Sequence, residues 1–100
     1  MASRLDLHSS LKKISDNVYF QPPANIKLTY PCIIYNKSGK SRRYSNDDIY
    51  YNRQKYQIMV IDVSPDSIVA DEIEESFTYC SIDQYFTKDN LNHTTLTLFY

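Results

Sequence analysis

The chain has 100 residues, eleven basic and twelve acidic side chains, and a formal net charge of −1 at neutral pH. That length is enough for one ordinary domain with one core. A charge so near zero excludes binding to nucleic acid or an anionic membrane through an overall electrostatic field, so any electrostatic function has to be local. Ten of the hydrophobic residues are tyrosines, a residue enriched at protein interfaces.

The cysteines and the hydropathy pattern indicate the compartment. Cys32 and Cys80 lie far apart, without the close spacing of zinc or redox motifs, and we predict two reduced thiols in the core. No apolar run approaches the about 20 residues of a transmembrane helix, and residues 1–16 lack the apolar centre of a signal peptide. These features predict a protein that acts in a reducing cytoplasm without membrane contact.

The first predicted elements are one helix and one short strand. Apolar residues at helical spacing predict an amphipathic helix over residues 4–15. They are Leu7, Leu11 and Ile14. The apolar run 18–20 precedes two prolines, so a brief strand is expected there, followed by a loop over residues 21–29.

A hairpin is predicted in the middle of the chain. Residues 30–35 are rich in β-formers and are followed by the single glycine of the sequence. This pattern predicts a hairpin tip at Ser38-Gly39, a returning strand over residues 40–44 and an irregular segment over residues 45–52.

The next segment, residues 53–63, is predicted to be the central strand because it is apolar on both faces at its C-terminal end. Ile58, Val60 and Ile61 are expected in the core, with the first helix packed on the same sheet.

A second helix is predicted over residues 65–75. Ser64-Pro65 followed by acidic residues is a typical helix start. Its expected inward residues are Ile68, Val69 and Ile73. Two last strands are predicted over residues 77–86 and 93–100, joined by the turn-rich segment 87–90.

This order of elements predicts an α+β fold. We expect a single domain, residues 1–100, in which a mainly antiparallel β-sheet carries two helices packed on one face.

No group of residues has the pattern of an active site. Residues 38–41, Ser-Gly-Lys-Ser, end like a phosphate-binding loop, but Ile34 stands where that motif needs its first glycine. His8 and His93 have no acidic residue or cysteine at ligand spacing and are interpreted as surface or hydrogen-bonded structural residues. We therefore predict no enzymatic activity, no metal and no cofactor.

Charge is segregated along the chain. The basic residues of the predicted hairpin are Lys37, Lys40, Arg42 and Arg43. The acidic residues of the second helix are Asp71, Glu72, Glu74 and Glu75. A basic hairpin can contact phosphates, protect a sheet edge from aggregation or bind another protein. These eight residues form two patches of opposite charge and are a candidate protein interface.

From residues 30–35, Tyr-Pro-Cys-Ile-Ile-Tyr, the sequence resembles the small tail-terminator (tail-completion) proteins of long-tailed bacteriophages. Further matching segments are residues 44–47 (Tyr-Ser-Asn-Asp), 56–62, 65–67 (Pro-Asp-Ser) and 89–93 (Asp-Asn-Leu-Asn-His). The similarity spans roughly residues 7–100, and the order and spacing of the segments carry it.

The resemblance implies a structural virion protein that forms a hexameric ring on the head-proximal end of the tail tube, stops tube polymerisation and offers a docking surface to the head. The implied partners are further copies of the chain, the tail tube protein and head–tail connector proteins, with DNA passing through the ring without specific binding. The implied location is the tail or neck of the virion, and the host cytoplasm during assembly. Because a ring of identical subunits needs two unlike patches that fit each other, the eight charged residues named above are the predicted subunit interface. The alternative functions are a head-completion or connector adaptor protein of the phage neck, and a small nucleic-acid-binding phage regulator.

Overall fold

The computed structural model of the protein describes residues 4–45 and 48–100, and within the stretch 40–52 it describes the backbone only. This part of the chain forms two helices and five strands. In chain order they are α1 (Arg4–Lys12), β1 (Val18–Phe20), β2 (Cys32–Ser45), β3 (Asp48–Asp62), α2 (Val69–Ser76), β4 (Cys80–Lys88) and β5 (Leu91–Phe99).

The strands form one mixed sheet in the order β1-β2-β3-β5-β4. β1 runs parallel to β2, and the other three neighbouring pairs are antiparallel. Both helices join one core cluster with the sheet, through Leu7 and Leu11 of α1 and Ile73 of α2. The prediction of an α+β fold with a mainly antiparallel sheet and two helices on one face is confirmed.

β3 is the central strand, as predicted, because β2 pairs with one of its edges and β5 with the other. The core side chains of β2, β3 and β5 alternate along each strand and therefore share the face that carries the helices. They are Ile33, Tyr35, Tyr56, Ile58, Val60, Leu96 and Leu98. Ile61 is also buried, at 5% exposure, but it alternates onto the opposite face and lies outside this cluster. The two-sided apolar pattern of β3 thus reflects burial on both faces.

α1 is shorter than predicted, because it ends at Lys12 and not at residue 15. The chain nevertheless continues for part of a turn, since the amides of Ile14 and Ser15 donate to the Leu11 carbonyl oxygen at 3.0 and 3.1 Å. This turn keeps Ile14 packed against the core cluster, where the helical spacing placed it.

The predicted hairpin tip at Ser38-Gly39 is wrong. β2 runs through these residues to Ser45 and is paired with β3 on both sides of them, so residues 40–44 continue the same strand. Gly39 has a φ of +142° and lies at a shift in the pairing register. Such a backbone is tolerated by glycine and typical of a β-bulge, so this glycine marks a bulge inside a strand.

The irregular segment predicted for residues 45–52 is also wrong for the residues that the structure describes. Ser45 belongs to β2, and β3 begins at Asp48, which pairs with it. The polar residues on either side of this pair therefore lie within strands, while residues 46–47 lie outside the described part of the chain.

The β2–β3 pair extends beyond the rest of the sheet. β5 pairs with β3 from Lys55 to Asp62, and two backbone hydrogen bonds between Gln54 and Tyr100 end this contact. Beyond it the only strand pairing among the described residues is that of 41–45 with 48–53, a two-stranded ribbon that we call the arm. Six strand residues span about 20 Å. The arm therefore contributes much of the long axis of a molecule that measures 50 × 23 × 23 Å.

α2 begins at Val69, later than predicted. The predicted helix start forms turns instead: the Ser64 amide donates to Asp62 Oδ1 at 3.1 Å, and the Asp66 amide donates to Ser64 Oγ at 3.2 Å. Such side-chain acceptors satisfy the backbone in non-helical conformations, which delays the helix.

The inward face of α2 differs from the prediction at one residue. Ile73 is fully buried and Val69 packs half-buried against the core cluster, as predicted. Ile68 is 63% exposed because it precedes the first helical residue, and Ala70 is buried in its place.

The last two strands form a tighter hairpin than predicted. β4 and β5 lie close to the predicted ranges 77–86 and 93–100, but their connection is only Asp89-Asn90, not residues 87–90. Both connecting residues have positive φ, +54° and +64°. A two-residue turn with two positive φ angles favours asparagine, aspartate and glycine, so the residue types fit the turn.

We expect Ile58→Ala to lower the free energy of unfolding by about 2–5 kcal/mol, because this side chain is fully buried beneath the helices. Ile61→Ala should cost less, since Ile61 lies on the face that carries no helix. Urea denaturation of both variants measures the difference. Equal losses would contradict the assignment of the two residues to unlike faces.

Candidate subunit interface

Basic side chains are concentrated on the arm and the strands at its root. Residues 37–55 contain six basic and two acidic side chains. Four of the predicted interface residues are basic. Lys37 is exposed beside the β2 bulge, Lys40 lies at the root of the arm, where β2 pairs with Gln54 of β3, and Arg42 and Arg43 lie in the arm. The side chains of the last three lie outside the described residues, whereas their backbone is paired with β3.

Two further basic residues, Arg53 and Lys55, lie on β3 and pair with the same part of β2. The sequence did not reveal them as part of this set because they lie ten and twelve residues after Arg43. The Arg53 guanidinium carbon lies 4.5 Å from the ring centroid of Tyr79, whose side chain is 52% exposed. This cation–π contact joins the root of the arm to the residue that precedes β4.

The predicted acidic residues all lie on α2. Asp71, Glu74 and Glu75 are exposed and Glu72 is half-buried. The surrounding stretch, residues 56–87, contains seven acidic residues and no lysine, arginine or histidine. Like charges four residues apart, such as Asp71 and Glu75, destabilise a helix. Asp71 and Glu72 lie in the first turn, where acidic side chains stabilise a helix, but Glu74 and Glu75 lie near the C-terminal end, where they do not. Helix stability therefore does not explain the acidic residues of the last turn.

Glu74 has a role inside the chain. Its Oε2 atom accepts a hydrogen bond from the Ile82 amide at 3.0 Å. Ile82 lies at the register shift of β4, where the pairing with β5 skips Asp83. Because a bulge leaves backbone groups unpaired, the carboxylate supplies an acceptor that the ladder does not. Glu74 is therefore a structural residue of the β4 bulge as well as part of the acidic surface.

An open groove of about 200 Å³ lies between the turn before α2 and the β4–β5 hairpin. Asp62, Pro65 and Tyr85 line it, and Asp62 is the charged residue buried to 9% exposure. Tyr85 is 69% exposed. Val63, at 65%, and Ile68, at 63%, are exposed apolar residues that flank the lining residues in sequence.

Sequence reasoning missed this groove, because Tyr85 and the turn come together only through the pairing of β4 with β5. The only local signal is the run Val63 to Ile68, in which Val63 is predicted to end the central strand and residues 65–68 to begin the second helix. The structure places the two predicted charge sets on different parts of the sheet: α2 packs on β4 and β5, while the basic set follows β2 to the arm.

The hydroxyl of Tyr35 anchors α1 to the sheet. The Tyr35 side chain is fully buried, and its oxygen lies 2.7 Å from His8 Nδ1 and accepts a bond from Arg4 at 3.2 Å. The Arg4 guanidinium also covers the Phe20 ring at 4.3 Å. Burial, with the nearby positive charges of Arg4 and Lys12, lowers the pKa of His8 below its ordinary value of 6.5.

His93 is held by two contacts. Its ring stacks on Phe86 with a centroid separation of 4.7 Å, and Nδ1 donates to the Leu91 carbonyl oxygen at 3.1 Å. Both histidines are therefore hydrogen-bonded, as the sequence interpretation held. The part of the chain that the structure describes contains no group of three or more histidine, cysteine or acidic residues suited to hold a metal ion.

The cysteines are free thiols on separate strands. Cys32 on β2 and Cys80 on β4 are separated by two intervening strands, which corresponds to about 14 Å and exceeds the about 7 Å limit for a disulfide. Burial raises the pKa of both thiols to about 11. At neutral pH both are therefore protonated and weakly nucleophilic.

No protein-family profile matches the sequence, and no curated protein sequence matches it significantly. Among the described residues, no helix is long and apolar enough to cross a membrane.

The role of Glu74 predicts a difference between neighbouring carboxylates. Glu74→Ala should lower the free energy of unfolding by about 0.5–1.5 kcal/mol, because the Ile82 amide loses its acceptor. Glu75→Ala removes an exposed charge of the same helix and is the matched control, with a change within about 0.5 kcal/mol. Thermal or urea unfolding of the two variants measures this difference. Equal losses of stability would contradict a structural role of Glu74.

The lowered pKa of His8 predicts a stability that depends on pH. Below about 6.5 the unfolded chain binds a proton that the folded chain does not, so the free energy of unfolding should fall as the pH drops from about 7.5 to 5.5. In His8→Gln this slope should be reduced. Urea denaturation across that range measures it, and an unchanged slope in the variant would assign the pH dependence to other groups.

Proposed function

We propose that this chain is a structural assembly protein of a long-tailed bacteriophage, which caps the head-proximal end of the tail tube as a ring, stops its polymerisation and provides the head-docking surface. It acts in the virion neck, with the tail tube protein and the head–tail connector proteins as partners and without catalysis. DNA passes through the ring.

The projecting arm is the observation that carries this proposal. A closed ring requires a heterologous interface, in which one patch of a subunit meets a different patch of its neighbour. The chain supplies two such patches: an arm of about 20 Å, which together with its root carries six basic and two acidic residues, and the exposed side chains of residues 56–87, where every charged residue is acidic. A projecting ribbon also has no core of its own and is marginally stable alone, so packing on a neighbour would stabilise it.

The segments that resemble tail terminators support the same reading through their positions. Residues 30–35 contain the start of β2, residues 56–62 form the buried half of β3, and residues 89–93 contain the β4–β5 turn and the start of β5. Residues 65–67 lie in the turn beside the groove. The resemblance therefore concerns the residues that fix the hairpins and the turn before α2.

Deleting the gene from the phage tests the proposal. Negative-stain images should show tails of uncontrolled length that are not joined to heads, and the purified chain added to growing tail tubes should stop elongation. Tails of normal length that fail to join heads would replace tail termination by an adaptor role in the neck.

The basic arm also favours a second candidate, the nucleic-acid-binding regulator, since lysine and arginine neutralise phosphates. DNA affinity whose logarithm falls with the logarithm of salt concentration at a slope of several units would support it, together with tails of normal length in the deletion phage.

A further inference from the structure

We infer that the arm of one copy docks in the groove beside α2 of a second copy, the groove lined by Asp62, Pro65 and Tyr85. This inference deepens the proposed function, because it names the two surfaces through which subunits of the ring meet. It replaces the predicted contact with the whole acidic helix by a contact at one end of it.

Charge is the first argument. The arm and its root, residues 37–55, carry six basic and two acidic residues, whereas the stretch 56–87, which contains α2 and most of the groove, has seven acidic residues and no lysine, arginine or histidine. The other residues that line the groove, Asn92, His93 and Thr94, belong to β5. Asp62 lines the groove. Asp66 is exposed and lies in the turn between two lining residues, Pro65 and Ser67. A basic ribbon and an acidic groove attract each other and favour one orientation of approach.

Apolar contact is the second argument. Val63, Ile68 and Tyr85 are among the large hydrophobic residues that the fold leaves exposed, each by more than 60%. All three line the groove or adjoin its lining residues. The arm sequence contributes Tyr44, Tyr50 and Tyr51, and tyrosine is a residue that protein interfaces favour. The groove therefore suits a partner segment that is both basic and aromatic, which is the composition of the arm.

Reach is the third argument. The arm extends about 20 Å beyond the last strand pair of the sheet, and the short dimensions of the molecule are 23 Å. An arm can therefore cross almost the full width of a neighbouring copy. Glu74 is not required for this contact, because it does not line the groove.

The experiment uses two complementary variants. In the first, residues 42–52 are replaced by Asn-Gly, which leaves the Ser41–Arg53 pair to close a short hairpin and removes the arm. In the second, Asp66→Lys and Tyr85→Lys change the groove. Leu5→Lys with Asp16→Lys is the matched control, since it also replaces one exposed apolar and one exposed acidic residue, on and just after α1.

Sedimentation velocity at about 100 µM protein, where an interface with a Kd of 10 µM is largely occupied, gives the readout. The wild-type chain and the control should self-associate, more strongly at low salt, and each of the two variants alone should associate at least about tenfold more weakly. A mixture of the two variants should form a one-to-one complex that grows no further, because only one intact arm and one intact groove remain.

Other outcomes overturn the inference. These are a wild-type chain that stays monomeric at low salt, an arm-truncated chain that associates like the wild type, and a control that loses association as much as the groove variant. The proposed function is judged separately: association through arm and groove without arrest of tail tubes would refute tail termination alone, and arrest by the groove variant would refute this interface alone.

Discussion

The unequal pairing of β3 is the constraint on which the rest of the structure depends. β3 is paired with β2 along its described length but with β5 only from Lys55 onward. The doubly paired half buries side chains on both faces and carries the helices. Among the described residues, the singly paired half has no third strand and no helix beside it, so it projects as the arm. One strand therefore provides both the centre of the core and one side of the ribbon that extends beyond it.

The arm is held at its root by contacts that are not hydrophobic. Gln54 and Tyr100 exchange two backbone hydrogen bonds, and Arg53 covers the ring of Tyr79. A two-stranded ribbon is marginally stable in water without further support. These contacts connect the base of the ribbon to the residues just before β4 and just after β5. Exposed ion pairs would guide the packing of the arm on a neighbour more than hold it, and buried tyrosine surface would supply the affinity.

Periodicity in the sequence predicted the parts of the fold that bury a regular face. The central strand, the α1 stripe of Leu7 and Leu11, and the inward Ile73 all follow from spacing alone. Residue types typical of turns and helix starts gave wrong predictions where strand pairing or side-chain hydrogen bonds determine the local structure. Gly39 has the composition of a hairpin tip but lies in a bulge, and Ser64-Pro65 begins a series of turns that precedes the helix.

The charged residues of the candidate interface could be found from the sequence because residues of like charge lie close together along the chain. The groove could not, since its walls come from the turn before α2 and from a hairpin that begins well after it. Tyr85 carries no signal of its own within β4. Its exposure follows from the bulge at Asp83, which shifts the pairing register just before it and is not encoded by any short motif.

The bond from the Ile82 amide to Glu74 makes the acidic residues of α2 unequal. Glu74 satisfies a backbone donor at the β4 bulge, whereas no described backbone donor of β4 contacts Asp71 or Glu75. Substitutions at Asp71 and Glu75 therefore change the charge of the surface without affecting the backbone of β4. Position 74 has to keep a side-chain acceptor, so a version of this helix with reversed charge would still need one acidic or amide residue for the fold.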